Sequence, residues 1–308
     1  MIPLLPIRNK EGRLVFDLES PKIGSWTTVD LYYAMQHGYQ VTRVFEVHHF
    51  PPTEMMTGLF EGYVDYFLRI KMECDGWPRE DMSLEEKQAY IDQVYQENGF
   101  LAKMRLNQVE KNPGLRFDAK LKLNSLWGKF IQQPVLEGFQ FVTNLRQFRE
   151  MMLNPTIKEG SLQFMFTSEE TLLASYLHAE DFVEHARRFN PYLGAFVTAH
   201  GRRRLHEAMF QIGTQRILYC DADSLIYVEG QDSVAMVTKP GLGNWSNVLD
   251  TGKWRVEFMA AAPKSYCLVY HHPDTQGNGF WMKSKGLTLN YANQNILTVD
   301  TMRDMMMA

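Results

Sequence analysis

The chain has 308 residues, 45% of them hydrophobic, which is enough for one large domain or two to three smaller ones around a true core. Its 32 Lys and Arg against 36 Asp and Glu give a net charge of −4, so it is no uniformly basic nucleic-acid coat, although a phosphate groove is a local feature that the sum hides. The three cysteines, Cys74, Cys220 and Cys267, are scattered without C-x-x-C or His at metal spacing, and no apolar run has signal-peptide or membrane-spanning length. A soluble protein of a reducing, intracellular compartment is expected, with no membrane partner. The adjacent pairs His48-His49 and His271-His272 point to opposite sides of a strand and are poor chelators.

In chain order, Arg13–Phe16 is a short strand candidate among prolines and glycines, and a helix follows Thr27 as far as Gly38. Gln40–Val47 alternates as a half-buried strand. Phe60, Tyr63, Val64, Phe67, Leu68 and Lys71 keep helical spacing up to Gly76 and Pro78. Ser83-Leu84-Glu85-Glu86 is a capping box that opens a helix reaching about Asn98. Asn112-Pro113 caps the next helix, running to Gly128. On it Arg116, Lys120, Asn124 and Trp127 share one narrow face, while Leu115, Ala119, Leu123 and Leu126 form an apolar stripe. Two cations, an amide and an aromatic along one stripe suit a phosphate tail, a sugar and a base, though an ordinary solvated face has the same composition.

Residues 131–190 give no clear chemical signal and read as an insertion. From Tyr192 to Ile212 a long helix stopped by Gly213 carries Arg202-Arg203-Arg204. It leads into Ile217–Val228, two β-forming runs around Asp221-Ala222-Asp223-Ser224, a hairpin with two carboxylates at its tip. Two carboxylates a few Å apart repel by about 3 kcal/mol at an effective dielectric near 20, a motive for a divalent cation. Alone, such a tip is equally a solvated turn. A strand pair from Trp254, then Lys264-Ser265-Tyr266, then Lys283 and Lys285 on one side of a strand complete the pattern.

Together, Lys120-x3-Asn124-Ser125-x-Trp127-Gly128-Lys129-Phe130 and Tyr219-Cys220-Asp221-Ala222-Asp223-Ser224 resemble the second and third polymerase motifs of family B DNA polymerases. The subgroup is the protein-primed one of phages, adenoviruses, linear plasmids and virus-like transposons. Lys264-Ser265-Tyr266 resembles its Lys-x-Tyr primer-terminus motif, and Lys283-Ser284-Lys285-Gly286 is similar to its thumb segment. The resemblance spans about Trp26 to Asn290. It implies an α+β right-hand polymerase fold with an antiparallel palm sheet: partial palm at 1–59, fingers at 60–131, the insertion at 132–190, palm with the acidic hairpin at 191–258 and the start of the thumb from 259. It implies Lys120, Asn124 and Trp127 at the incoming nucleotide; Ser125, Gly128, Lys264, Tyr266, Lys283 and Lys285 at DNA and primer; and Asp221 and Asp223 as catalytic carboxylates ligating Mg²⁺. Implied partners are primer-template DNA, dNTPs and a terminal priming protein. Phosphoryl transfer suits such a set because it needs positioning and charge neutralisation.

Three departures matter. Ala222 stands where the family has Thr, and Trp127 where it has Tyr. The family's first motif, Asp followed after two residues by Ser-Leu-Tyr-Pro, is absent, and Asp30-Leu31-Tyr32-Tyr33 lacks its Ser and Pro. Asp30 is therefore not expected to be the missing metal ligand, and the two-metal site is expected to be incomplete, its other half encoded before Met1 if anywhere. The expected activity is DNA-directed DNA synthesis by a fragment that extends primers poorly on its own. The alternatives are a noncatalytic DNA- or nucleotide-binding remnant of a viral or mobile-element polymerase and, more remotely, an unrelated metal-dependent hydrolase.

Overall fold

The computed structural model describes residues 3–18, 21–54, 56–132, 137–182, 189–230, 236–249, 254–271, 277–287, 293 and 295–307. The architecture is α+β, mixing helices with antiparallel sheets. Near the N-terminus β1 (Ile7–Arg8) pairs with β2 (Leu14–Val15). Helix α1 (Thr28–Gln36) starts where the Thr27 hydroxyl accepts the Asp30 N–H. Leu4, Leu5, Tyr33 and Ala34 form a small core there, with Trp26, Leu31 and Tyr39 against it.

The helical centre comprises α2 (Glu61–Glu73), α3 (Leu84–Glu97) and α4 (Pro113–Phe130). The Ser83–Glu86 capping box forms as the spacing predicts, and Asn112 caps α4. Ile91, Met104 and Val109 are its buried centre. Of the expected apolar stripe on α4, Ala119 is buried, Leu123 and Leu126 are half-buried, and Leu115 is exposed.

The segment after α4 folds as β3 (Glu137–Val142), α5 (Leu145–Met152), β4 (Gln163–Ser168) and β5 (Thr171–Leu177). Strand β5 lies between β3 and β4, antiparallel to both, and Val142, Met151 and Ala174 form the core beneath α5.

Helix α6 (Pro191–Ile212), about 33 Å long, is the spine of the molecule. It packs on α1, α4 and the acidic hairpin, which consists of β6 (Ile217–Asp221) and β7 (Ser224–Tyr227). A third antiparallel sheet has β9 (Ser265–His271) between β8 (Trp254–Ala262) and β10 (Asn278–Lys283). The last helix, α7 (Val299–Met307), covers one face of it, packing Met302 over Met259, Cys267, Val269 and Met282.

Two sequence expectations are corrected here. Gln40–Val47 is not a strand: it runs without regular structure, with Val41, Val44, Phe45 and Val47 exposed. Alternation marks a segment able to pair, but a ladder also needs a free edge beside it. Lys283 and Lys285 do not share a strand face, because β10 ends at Lys283 and Lys285 sits in the following turn. Of the histidine pairs, His272 lies outside the described residues, and His48 bonds the Tyr192 hydroxyl at 3.1 Å.

Candidate functional site: two facing hairpin tips

The acidic hairpin has a two-residue turn, with Asp221 opposite Ser224. The Asp221 carbonyl accepts from the Asp223 N–H and, at 3.0 Å, from the Ser224 hydroxyl, so the tip is tied to one oxygen. This geometry puts Ala222 at φ 48°, a left-handed conformation that a Cβ disfavours by about 1–2 kcal/mol. Along β6 Ile217, Tyr219 and Asp221 alternate inward, while Leu218 and Cys220 point out.

The β8–β9 hairpin brings a second tip to meet this one. Ala262 pairs with Ser265 across Pro263 and Lys264. Proline sets the first φ, and Lys264 at φ 64° occupies the position a type II turn reserves for glycine. A lysine is therefore held in an unfavourable backbone conformation, and its contacts account for that. Its N–H donates to the Tyr219 hydroxyl at 2.7 Å, and its Nζ donates to Asp221 Oδ1 and Oδ2, both at 2.8 Å. The Asp221 bond, aided by the charges of Asp221, Tyr219 and Asp223, raises the Lys264 pKa above the ordinary lysine value. Strained residues persist where surrounding contacts over-determine them, and here two of them face each other.

Behind the tips the rings of Tyr219, Phe258 and Tyr266 cluster, the two tyrosines with centroids 5.0 Å apart. Lys283 Nζ lies 5.8 Å from the Tyr266 ring, and the Lys285 N–H donates to the Ser265 hydroxyl at 3.0 Å. The structure thus gathers Asp221, Lys264, Tyr266, Lys283 and Lys285 around one point, with Asp223 exposed at the rim.

Asp221 and Asp223 supply the hard oxygen donors that suit Mg²⁺. However, both Asp221 oxygens already contact the Lys264 ammonium, and among the described residues no group of three or more His, Cys, Asp or Glu is placed to hold a metal ion. These residues do not fit a two-metal site; they hold an ammonium. Asp30 is no remote ligand either. Its buried carboxylate is gripped by Arg202 at 2.9 to 3.2 Å and by the Thr27 hydroxyl at 2.9 Å, joining α1 to α6.

The α4 stripe forms a second cationic patch, joined to the hairpin through α6. Lys120, Asn124 and Trp127 are exposed. Arg116, by contrast, is ion-paired with Asp75, and the Ser125 hydroxyl bonds back to the Lys122 carbonyl at 3.3 Å. A Cβ at Gly128 would meet nothing within 4 Å among the described residues, so packing there does not require glycine. Sequence reasoning missed Lys71 on α2. Burial, with the charges of Arg116 and Lys120, pushes its pKa below the usual lysine value against the opposing pull of Asp75. Lys71 thus lies within electrostatic reach of Arg116, Lys120 and Asp75, and Asp75 itself is ion-paired with Arg116. The available signal was Lys71 at the end of a helix, which spacing alone cannot pair with α4.

The motifs that carry the family B resemblance begin at Lys120. Residues 1–83 match the family model for DNA polymerase type B, organellar and viral. The matched segment contains α1 and α2 and lies before Lys120. No curated protein and no solved structure matches. Among the described residues no helix is long and apolar enough to cross a membrane.

Proposed function

We propose that this chain is the polymerase portion of a protein-primed family B DNA polymerase, with partial palm at 1–59 and 191–258, fingers at 60–131, and the start of the thumb from 259. It holds primer-template DNA and an incoming dNTP for nucleotidyl transfer. The observation that carries the reading is the convergence of Asp221 with Lys264 and Tyr266, 43 and 45 residues further along the chain, at two strained tips. A lysine ammonium has three donors, and Asp221 engages two of them. Among the described residues no other acceptor bonds the third, which is available for a phosphate at the primer terminus, with Tyr266 beside it for the sugar, Lys283 at the end of β10 and Lys285 in the turn that follows.

The neighbouring cations of α2 and α4 favour the same reading at the other substrate. Like charges held together are relieved by an arriving polyanion, and a triphosphate beside Lys120, Arg116 and Lys71 meets that need. Asn124 and Trp127, one and two turns further along the same face, suit the sugar and the templating pair. A terminal priming protein belongs to this reading as the partner that supplies the first hydroxyl.

A second reading is favoured by the Asp221–Lys264 pair: a noncatalytic DNA- and nucleotide-binding remnant. Primer extension by the purified chain in Mg²⁺ separates the two. Little or no extension is expected, together with salt-sensitive binding of primer-template that Lys264→Ala weakens. Robust extension abolished by Asp223→Ala would mean that a further carboxylate ligand lies within the chain. Absence of any DNA binding would refute both readings.

A further inference from the structure

Beside the proposed primer site one large aromatic has no assigned task. Trp281 lies in β10, opposite Leu268 of β9, while its neighbour but one, Lys283, lies opposite Tyr266. Residues two apart on a strand share a face, so Trp281 and Lys283 stand on the side of the sheet that carries Tyr266. The Lys283 ammonium sits between two rings, 5.3 Å from the Trp281 centroid and 5.8 Å from that of Tyr266. Leu268 and Tyr266 are buried, whereas Trp281 keeps 38% of its surface exposed. Met282 turns to the opposite face, into the core under α7.

The result is a continuous track. From the sheet edge it runs Trp281, Lys283, Tyr266, Tyr219, Lys264 and Asp221, each step a ring contact, a cation over a ring or a hydrogen bond. Aromatic faces interleaved with ammonium groups are the arrangement that holds a nucleic-acid strand, bases or sugars on the rings and phosphates on the cations. We propose that Trp281 is a DNA-contact residue that stacks on the primer strand upstream of its 3′ end, extending the primer site along β10.

This inference rests on the proposed primer site, and its failure is distinguishable from failure of that reading. The test is primer-template binding by the full chain, read by fluorescence anisotropy over a series of salt concentrations. Trp281→Leu, which keeps an apolar side chain but no ring, weakens binding roughly tenfold, and Trp281→Phe restores most of it. Neither changes the salt slope, whereas Lys283→Ala lowers it by about one. In the unmodified chain, a single abasic site moved along the primer strand weakens binding at the stacked position, and Trp281→Leu removes that penalty. The abasic scan in the unmodified chain needs no variant to fold. If Trp281→Leu binds as tightly as the parent, or no abasic position matters, the stacking role is overturned. In that case loss of binding in Lys264→Ala still upholds the primer site. If the parent chain binds no primer-template, both fall.

Discussion

Replacing Arg202 with Met tests how α1 is fixed to the rest of the molecule. The Asp30 side chain is 5% exposed and that of Arg202 22%. Three contacts of 2.9 to 3.2 Å join them, and among the described residues the Thr27 hydroxyl is the only other side-chain group bonding the carboxylate. Met preserves the stem that packs along α6 but leaves Asp30 buried and charged with one neutral hydroxyl. Removing one partner of a buried pair costs about 3–5 kcal/mol, against about 0–1 for an exposed pair. A domain's entire stability is roughly 5–15 kcal/mol, so the loss is large. Asp30→Ala leaves the partly solvated Arg202 unpaired and costs less, and the double variant loses less than the sum of the singles. Urea unfolding of the four proteins, monitored by far-UV circular dichroism, measures these differences. A loss below about 1 kcal/mol in Arg202→Met would refute the claim that this pair is desolvated and joins α1 to α6.

Other expectations follow from particular residues. Ala222→Gly relieves the φ 48° conformation and leaves the thermal midpoint unchanged or slightly raised, while the family's Thr at this position lowers it, since a β-branched residue fits a left-handed turn worse. Ser83→Ala removes the hydroxyl that accepts the Glu86 N–H, leaves the backbone N–H of residue 83 bonded to the Glu86 carboxylate, and costs about 1 kcal/mol in thermal unfolding. Burial, then the nearby Arg202 and His37, hold the His206 pKa below the usual histidine value against the pull of Asp30. The unfolded chain then binds the extra proton first, so stability is full above pH about 6.5 and falls as pH drops below it. His206→Gln flattens that dependence in unfolding curves between pH 5 and 8. Lys120→Ala weakens dNTP binding and its salt dependence, measured by equilibrium titration, without changing primer-template affinity.

The helices were legible because their ends are written locally. Thr27, Ser83, Asn112 and Asn190 each accept the backbone N–H that a cap should take. The acidic hairpin was legible for a similar reason, two apolar arms around a polar turn. Gln40–Val47 was misread because alternation describes a strand's faces and says nothing of its partner. At the site, residue identities were readable but their engagements were not. That Lys264 closes on Asp221, that Arg116 is held by Asp75, and that Lys71 joins the α4 cations all depend on contacts between distant segments. Lysine at φ 64° also has no sequence signature beyond the preceding proline.

The central claim is that the tips of the β6–β7 and β8–β9 hairpins together grip the 3′ end of a primer. The direct measurement is photocrosslinking of a primer-template whose terminal primer nucleotide carries a photoreactive group, with the attached peptide identified by mass spectrometry. The account predicts attachment within Pro263–Tyr266 and around Asp221–Ser224, abolished by excess unlabelled primer-template. Attachment confined to other parts of the chain, or none under conditions where the DNA is bound, would contradict it.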